Sequence, residues 1–265
     1  MTEASDRAHW DAARYHRVAQ PHAAWGATVL ERLDLRGDET VLDAGCGSGK
    51  VTAQLLERLP RGQVIAADLS PAMLAEARQT LAPWSAQVTF VEVDLLQIDR
   101  HLPQSVEVIF STAVFHWIAD HPRLFRALHA VVKQPGGRLV AQCGGGSNLA
   151  AFMAATDAVV ARPPFAAALQ DQHLWRHYVS AEQTEATLLE AGFQDAEAWL
   201  EPSPQRFPNA AALADYARGV VLTSHVAALP ENLRDDFVDQ VVDEIKQRAG
   251  DYELDYVRLN MRADT

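Results

Sequence analysis

The sequence predicts an α/β fold built around a doubly wound, mostly parallel sheet of seven strands. From Thr40 onward, short apolar runs alternate with amphipathic helical segments, which is typical of consecutive β-α-β units. A glycine-rich turn over Gly45–Gly49 follows the first of these runs and precedes the first of the helices. A final stretch of alternating polarity, Tyr252–Met261, suits an antiparallel last strand.

The first half of the chain accounts for five of the strands. Aromatic and aliphatic residues near helical spacing over residues 10–33, with a break at Pro21, predict two short helices that lead into the core. The predicted strands are Thr40–Ala44, Gln63–Asp68, Gln87–Val93, Val106–Ala113 and Gly137–Cys143. The predicted helices between them are Lys50–Leu59, Pro71–Leu81 and Pro122–Val132.

The second half of the chain is predicted to be mainly helical. Residues 144–179 are expected to form a helix followed by an insertion on the substrate side. Ser180–Ala191 has a capping-box pattern, because Ser180 precedes Gln183 by three positions. Phe193–Leu200 is a predicted strand, and the predicted helices Asn209–Leu222 and Pro230–Gln247 form an insertion before the last strand.

Composition and charge narrow the classes of partner. Lys and Arg number 23 against 35 Asp and Glu, so the net charge is −12, and the basic residues are scattered. Nucleic acids and anionic membranes are bound by clustered basic residues, so we expect neither, and no apolar run is long enough to span a bilayer. The two cysteines, Cys46 and Cys143, are not in a CxxC pair, and no metal-ligand spacing occurs. We therefore expect a cytoplasmic protein without a metal that acts on a small molecule.

The glycine-rich turn is the strongest indication of a ligand. Three glycines at alternate positions between a strand and a helix permit close backbone approach to a nucleotide-like group at a helix N-terminus. A dinucleotide fingerprint would have glycine or alanine where Lys50 stands. A phosphate P-loop would have glycine in place of Ala44 and a hydroxyl residue in place of Val51. Both of these alternatives lack a required residue.

Four segments, in order along the chain, carry a family resemblance. DAGCGSG at 43–49 resembles the first motif of class I S-adenosylmethionine-dependent methyltransferases, roughly acidic-x-Gly-x-Gly-x-Gly. The segments AADLSPAML at 66–74 and VEVDL at 91–95 are similar to the family's ribose-binding and adenine-contacting segments. KQPGGRL at 133–139 is similar to its turn before strand five, with Gln134 as an extra residue. The resemblance implies a Rossmann-like methyltransferase fold and S-adenosylmethionine as the cofactor.

The resemblance also implies a set of site residues. Asp43 is expected to accept hydrogen bonds from the methionine ammonium, and Asp68 from both ribose hydroxyls. Asp94 and the backbone of Leu95 are expected to orient the adenine amino group, with Leu69 and Met73 on either side of the ring. The other residues assigned to the cofactor are Gly45, Cys46, Gly47 and Thr112. The alternatives are purely structural roles: the aspartates could be helix caps or turn residues, and Leu69 and Met73 could belong to the core.

The implied organisation is a single methyltransferase domain over residues 1–265. It comprises a helical lid at 1–36, a cofactor-binding core at 37–145 and acceptor-side helices, insertion and last strands at 146–265. Either a monomer or a homodimer is compatible with this organisation.

The acceptor segment, STAVFHWI at 111–118, follows strand four and lacks an Asn-Pro-Pro-Tyr-like sequence, which argues against methylation of nucleobase amines. It resembles the trans-aconitate methyltransferase-like and malonyl-carrier-protein methyltransferase-like group, and the stretch with Tyr15 is similar to the lid of that group. The resulting hypothesis is methylation of a carboxylate oxygen on a small organic acid. Tyr15 and Trp117 are predicted to wall the acceptor pocket or to face the sulfonium through cation–π attraction.

A carboxylate needs positioning more than it needs a base. For a hydroxyl acceptor, His116 is the candidate catalytic base, because histidine exchanges protons near neutral pH; the alternative is a packing role. The candidate acid clamps are Arg162, Arg176, Arg206 and Arg218. The functional alternatives are a carrier-bound acyl group, a hydroxyl or other small-molecule acceptor, and a cofactor-binding protein without catalysis.

Overall fold

The computed structural model describes residues 20–102, 105–170, 172, 174 and 176–265. The strands in this part of the chain are β1 (Thr40–Ala44), β2 (Gln63–Asp68), β3 (Val88–Glu92), β4 (Val108–Thr112), β5 (Arg138–Gly144), β6 (Gln194–Pro202), β7 (Gln205–Arg206), β8 (Glu253–Leu254) and β9 (Val257–Asp264).

The α-helices in the same ranges are α1 (Gln20–Glu31), α2 (Lys50–Leu56), α3 (Pro71–Thr80), α4 (His121–Val131), α5 (Ala150–Val160), α6 (Ala166–Leu169), α7 (Ala181–Glu190), α8 (Ala210–Tyr216), α9 (Thr223–Ala228) and α10 (Glu231–Ala249). A π-helical segment, Ala217–Val221, joins α8 to α9. No helix in the described residues is both long and apolar enough to cross a membrane.

The predicted fold class is confirmed. Seven strands form one sheet in the order β3-β2-β1-β4-β5-β9-β6. The pairs β1–β2, β1–β4, β2–β3 and β4–β5 are parallel, and β5–β9 is antiparallel. In such a sheet, the chain reverses direction of winding at β1, and ligands bind beyond the carboxyl ends of the strands at that point. The last residues of the parallel strands β1, β2, β4 and β5 therefore lie at one edge of the sheet.

The chain divides into two compact units. The sheet unit comprises Pro21–Gly146, His177–Glu201 and Arg258–Thr265. Among the described residues, the helical unit comprises Gln20 and the ranges Ser147–Arg176 and Pro202–Val257. The predicted cofactor-binding residues, His116 and Trp117 lie in the sheet unit, whereas the four candidate acid clamps lie in the helical unit. The single domain over residues 1–265 stays a prediction.

Apolar residues cover both faces of the sheet. On one face, Val41, Val64 and Phe110 pack in a cluster with Val29 and Leu30 of α1. On the opposite face, alternate residues of the same strands pack in a cluster with α4 and with Leu188 of α7. The period-two alternation therefore assigns each strand residue to one of two buried layers.

Local signals in the sequence mark the starts of two helices of the sheet unit. The Ser70 side chain accepts a hydrogen bond from the Met73 N–H, with Pro71 in the first turn of α3. Ser180 and Gln183 form the predicted capping box at the start of α7. Both starts lie where the sequence predicts them.

Several predicted elements are shorter in the structure, such as the predicted helix Lys50–Leu59, which ends at Leu56, and two others are interrupted. The predicted helix Asn209–Leu222 changes to π-helical geometry at Ala217, where the Arg176 guanidinium donates to the carbonyls of Val220 and Val221. The predicted strand Tyr252–Met261 is divided into β8 and β9. It is interrupted because the Asp255 carboxylate accepts from two N–H groups in the first turn of α5.

Candidate functional site

The glycine loop lies between β1 and α2 and is held against β2. The N–H groups of Gly45 and Cys46 both donate to the Ala67 carbonyl, at 2.8 and 3.0 Å. Gly45 has a φ of 90°, and a Cβ there would lie 2.3 Å from Cγ2 of Val114. Gly47 has a φ of 54°, but a Cβ there would meet nothing within 4 Å. Gly45 is therefore required by packing, whereas Gly47 faces open space at the carboxyl edge.

Asp43 lies beneath this loop and is almost completely buried. Its Oδ2 accepts a hydrogen bond from the Thr52 hydroxyl at 2.7 Å. Burial raises the pKa of the Asp43 carboxyl to about 7, the Thr52 bond opposes this shift, and the charge of Asp68 adds to it. Asp43 therefore exchanges a proton near neutral pH.

Asp68 ends β2 and connects the glycine loop to the start of α3. Its Oδ2 accepts from the Gly47 N–H and its Oδ1 from the Ser70 N–H, both at 2.9 Å. Burial raises the pKa of the Asp68 carboxyl, and the backbone hydrogen bonds work against this shift. Each carboxylate oxygen has a second lone pair, so Asp68 can also accept from a ligand hydroxyl.

The residues after Asp68 present an apolar surface to solvent. Leu69 is 41% exposed, which is unusual for a large apolar side chain directly after a buried strand. Met73 is buried in α3. An exposed leucine beside an acidic strand end suits contact with a flat, partly apolar ligand.

Asp94 lies at the same edge, since the neighbouring Val93 N–H donates to the Asp68 carbonyl at 3.0 Å. Its Oδ1 caps the 3-10 helix Leu95–Arg100 by accepting from the Leu96 N–H. The Leu95 side chain is part of the core, so a ligand role for this residue could involve only its backbone. The capping role that the sequence offered for Asp94 is thus present, and a ligand role remains compatible with the second oxygen.

Thr112 ends β4 and lies directly beside Gln142 of β5 in the strand register. Its Oγ1 is buried and has no hydrogen-bond partner within the part of the chain that the structure describes. Buried hydroxyls are normally satisfied, so this atom indicates a polar group of a ligand or an ordered water at the end of β4.

His116 lies in the 3-10 helix Phe115–Trp117, just after β4, and is 9% exposed. Its Nδ1 accepts a hydrogen bond from the Gly144 N–H at 3.2 Å, and its ring lies between those of Trp117 and Tyr178 at centroid distances of 5.7 and 5.9 Å. An Nδ1 that accepts a hydrogen bond carries a lone pair, so the proton of the neutral imidazole is on Nε2. Nε2 is therefore a hydrogen-bond donor.

The remaining predicted residues are distributed as follows. Cys46 is buried in the loop, and burial raises the pKa of its thiol further above neutrality. Trp117 is partly exposed beside His116. Tyr15 lies outside the described residues. Among the described residues, no three His, Cys, Asp or Glu side chains converge as metal ligands.

The four arginines suggested as acid clamps lie in the helical unit, where each already holds a partner. Arg162 pairs with Glu244, Arg206 with Glu253, and Arg218 with Asp235. Arg176 binds the π-helical carbonyls described above.

Sequence reasoning missed Arg258, which is only 2% exposed near the start of β9. Its Nε donates to Oε1 of Gln142 at 3.2 Å, and its Cζ lies 4.2 Å from the ring centroid of Trp25. A signal was present, because Arg258 and Asn260 alternate with the apolar Leu259 and Met261 in the last strand. Taken alone, that alternation predicts a strand with one face toward solvent. The structure places β9 inside the sheet, between β5 and β6.

Comparison with known proteins gives a consistent picture. A family profile described as "Methyltransferase domain" matches residues 41–137. A trans-aconitate 2-methyltransferase of Methylobacterium nodulans is 32% identical over 197 residues, covering 73% of this chain and 67% of that protein. The trans-aconitate 2-methyltransferase of Yersinia pseudotuberculosis is 28% identical over 225 residues, covering 85% of this chain and 84% of that protein.

Solved structures support the fold. The Haemonchus contortus phosphoethanolamine N-methyltransferase 2, solved with phosphomonomethylethanolamine and S-adenosylhomocysteine, has a TM-score of 0.63 at 18% identity. That match covers 99% of this chain and 60% of the other. The YcgJ protein of Bacillus subtilis also has a TM-score of 0.63, at 15% identity, covering 92% of this chain and 99% of the other.

Proposed function

Since this chain belongs to the class I S-adenosylmethionine-dependent methyltransferases, in the group of the trans-aconitate 2-methyltransferases, we propose that it methylates a carboxylate oxygen of a small organic acid. The methyltransferase activity and the cofactor follow from the family. The acceptor is the proposal, and the names of the relatives favour trans-aconitate or a similar acid.

The hydrogen bond from the Gly144 N–H to Nδ1 of His116 is the observation that carries this proposal. A hydroxyl acceptor must lose a proton as it attacks, so it requires a base with an available lone pair. The lone pair of His116 is engaged by Gly144, and Nε2 carries the proton. A carboxylic acid has an ordinary pKa of about 4 and arrives already ionised. A histidine that donates a hydrogen bond therefore suits a carboxylate better than a hydroxyl.

The cofactor half of the site fits S-adenosylmethionine, which when bound supplies an electrophilic methyl group. The open side of Gly47 and the unsatisfied Thr112 hydroxyl both indicate room and polarity for a ligand at the carboxyl edge. We assign Asp68 to the ribose hydroxyls and Asp43 to the methionine ammonium, directly or through water. We retain Asp94 and the backbone of Leu95 for the adenine amino group.

The apolar surface beside Asp68 supplies the walls for the adenine. Leu69, which is exposed, and Met73, which is buried in α3, are assigned to that role. Gly45 and Cys46 act through the backbone, by holding the loop against β2.

On the acceptor side, we assign His116 and Trp117 to holding the carboxylate nucleophile in place and excluding water from it. Trp117 and His116 lie side by side after β4, with ring centroids 5.7 Å apart, and we assign the indole to the wall of the acceptor pocket and the His116 N–H to the carboxylate. Correct alignment of two reactants can lower a barrier by up to about 7–11 kcal/mol. No proton transfer by the protein is needed for a carboxylate. Tyr15 stays a predicted part of this wall.

The test begins with isothermal titration calorimetry of S-adenosylmethionine into the native protein and the Asp68→Ala variant. Loss of hydrogen bonds to a charged group predicts binding that is weaker by about 10- to 100-fold. Acceptors are then screened as matched pairs in which a carboxylic acid is compared with the corresponding alcohol and amine.

The chemistry of the product decides between the acceptors. A methyl ester releases methanol in mild alkali, whereas methyl ethers and methylamines do not. An alkali-labile product on acids supports the proposal, and an alkali-stable product overturns it. Methylation that occurs only when the acid is attached to a carrier protein would favour the carrier-bound alternative instead.

A further inference from the structure

We propose that Arg258 binds a second carboxylate of the acceptor, one that is not methylated, and thereby makes the enzyme selective for di- and tricarboxylic acids over monocarboxylic acids. This inference rests on the proposed function and names the residue that would determine its specificity. It uses only groups within the sheet unit.

Arg258 is located where an acceptor group would be needed. β9 runs antiparallel to β5, so Arg258, near its start, lies opposite Gly144, the last residue of β5. The Gly144 N–H is the group that orients His116. The arginine and the histidine thus flank one residue at the carboxyl edge of the sheet, on the β5 side of the cofactor loop.

The Arg258 side chain is held in a fixed orientation. Its Nε donates to Oε1 of Gln142, and its guanidinium lies over the indole of Trp25. The Gln142 amide is itself oriented, because its Nε2 donates to Oδ1 of Asn260 at 2.7 Å. The carbonyl end of that amide must therefore face Arg258. Because folding already restricts the Arg258 side chain, less conformational entropy is lost when a ligand binds.

A buried guanidinium is suited to a carboxylate. It presents a planar fork that can bind both carboxylate oxygens, and the attraction is stronger away from water. The same pairing draws charge from the carboxylate and makes it a weaker nucleophile. The carboxylate held by Arg258 is therefore the one that is kept from reacting, while another carboxylate of the same acid accepts the methyl group.

A second arginine of β9 supplies a matched control for the loss of positive charge. Arg262 is on the same strand four residues later, but its side chain is 67% exposed and pairs with Glu197. Arg258→Gln and Arg262→Gln thus remove the same charge from one strand, in one case from the buried site and in the other from the surface.

The experiment measures kcat and KM for a series of mono-, di- and tricarboxylic acids of similar chain length at saturating S-adenosylmethionine. For Arg258→Gln we expect KM for di- and tricarboxylic acids to rise by about 100-fold. For monocarboxylic acids we expect kcat/KM to change by less than about threefold, and Arg262→Gln should resemble the native protein throughout. Arg258→Lys keeps the charge without the fork and should give an intermediate KM.

Cofactor binding is measured on every variant to show that the fold is retained, with Arg258→Lys as the second variant if Arg258→Gln does not fold. An equal loss for monocarboxylic and polycarboxylic acids, or no loss for either, overturns the inference and leaves the proposed function intact. A native protein that binds S-adenosylmethionine but methylates no carboxylic acid overturns the proposed function, and the inference with it.

Discussion

The Thr52 hydroxyl donates to Oδ2 of Asp43 at 2.7 Å, and this carboxyl is almost completely buried beneath the glycine loop. This hydrogen bond lowers the pKa of the Asp43 carboxyl, yet burial outweighs it and raises the pKa to about 7. The free protein therefore has a titrating acid at the place where a cationic cofactor is expected to bind.

The contribution of Asp43 to the stability of the cofactor-free protein should fall as the pH rises from about 4 to about 7. In the unfolded chain an aspartate loses its proton near pH 4, whereas folded Asp43 keeps it up to about pH 7. The stabilising contribution is therefore fully present below about pH 4 and is lost as the pH approaches 7. Since each pKa unit corresponds to about 1.4 kcal/mol, we expect urea denaturation to show this contribution falling by about 4 kcal/mol over the range. The raised pKa of Asp68 acts in the same direction.

Asp43→Asn should flatten this pH dependence, since an amide keeps the hydrogen bond from Thr52 without titrating. Asp34→Asn, at an exposed position before β1, is the control and should leave the slope unchanged. Parallel slopes for the native protein and Asp43→Asn would contradict the raised pKa.

Binding of S-adenosylmethionine should release a proton from Asp43. The positive charges of the cofactor favour the ionised carboxylate and lower its pKa. Calorimetric titration at pH 6 in buffers of different ionisation enthalpy should report the release of roughly one proton, falling toward none at pH 8. In Asp43→Asn the heat should no longer depend on the buffer. Equal release by both proteins would assign the proton to another group.

Alanine at Gly45 and at Gly47 should have opposite dominant effects. Gly45→Ala places a Cβ against Val114 and requires a left-handed backbone, so it should lower the free energy of unfolding by about 2–4 kcal/mol. Gly47→Ala meets no neighbour and should cost about 1–2 kcal/mol for its backbone alone. Its methyl group projects into the open edge, where it should weaken cofactor binding. Thermal denaturation and cofactor titration of both variants distinguish the two effects, and similar behaviour in both would be unexpected.

Two substitutions of His116 should show whether its side chain acts as a hydrogen-bond donor or as a catalytic base. His116→Gln retains an N–H donor and should keep kcat/KM on carboxylic acids within about 10-fold of the native value, whereas His116→Leu should lose more. If His116 were a base, both variants would lose activity alike, since neither can take up a proton. Steady-state kinetics at saturating cofactor makes the comparison.

The parallel half of the fold could be predicted from the sequence because its determinants are local. β1 and β2 begin and end at the predicted residues, and the cap at Ser70 sits next to the proline that it accompanies. Alternation and capping depend on neighbours within a few positions, which a single sequence displays directly. The cofactor side of the candidate site follows from the same strand ends.

The elements that could not be predicted depend on partners far away in the chain. The break in the last strand arises because Asp255 caps α5, which begins about a hundred residues earlier. The π-helical segment depends on Arg176, some forty residues before it. Arg258 looks like a surface residue until β9 is placed beside β5. In each case, one polar side chain is committed to a contact that no local pattern reveals.

The strand order has a consequence for protein engineering. Asp43 and Asp68 stand on β1 and β2, whereas Arg258 and Gln142 stand on β9 and β5, with β4 in between. Mutational libraries confined to the second pair of strands should therefore yield variants with altered acceptor preference that need no renewed optimisation of cofactor affinity. Such modularity would let one scaffold be retargeted among acids by changes in two short strands, β5 and β9.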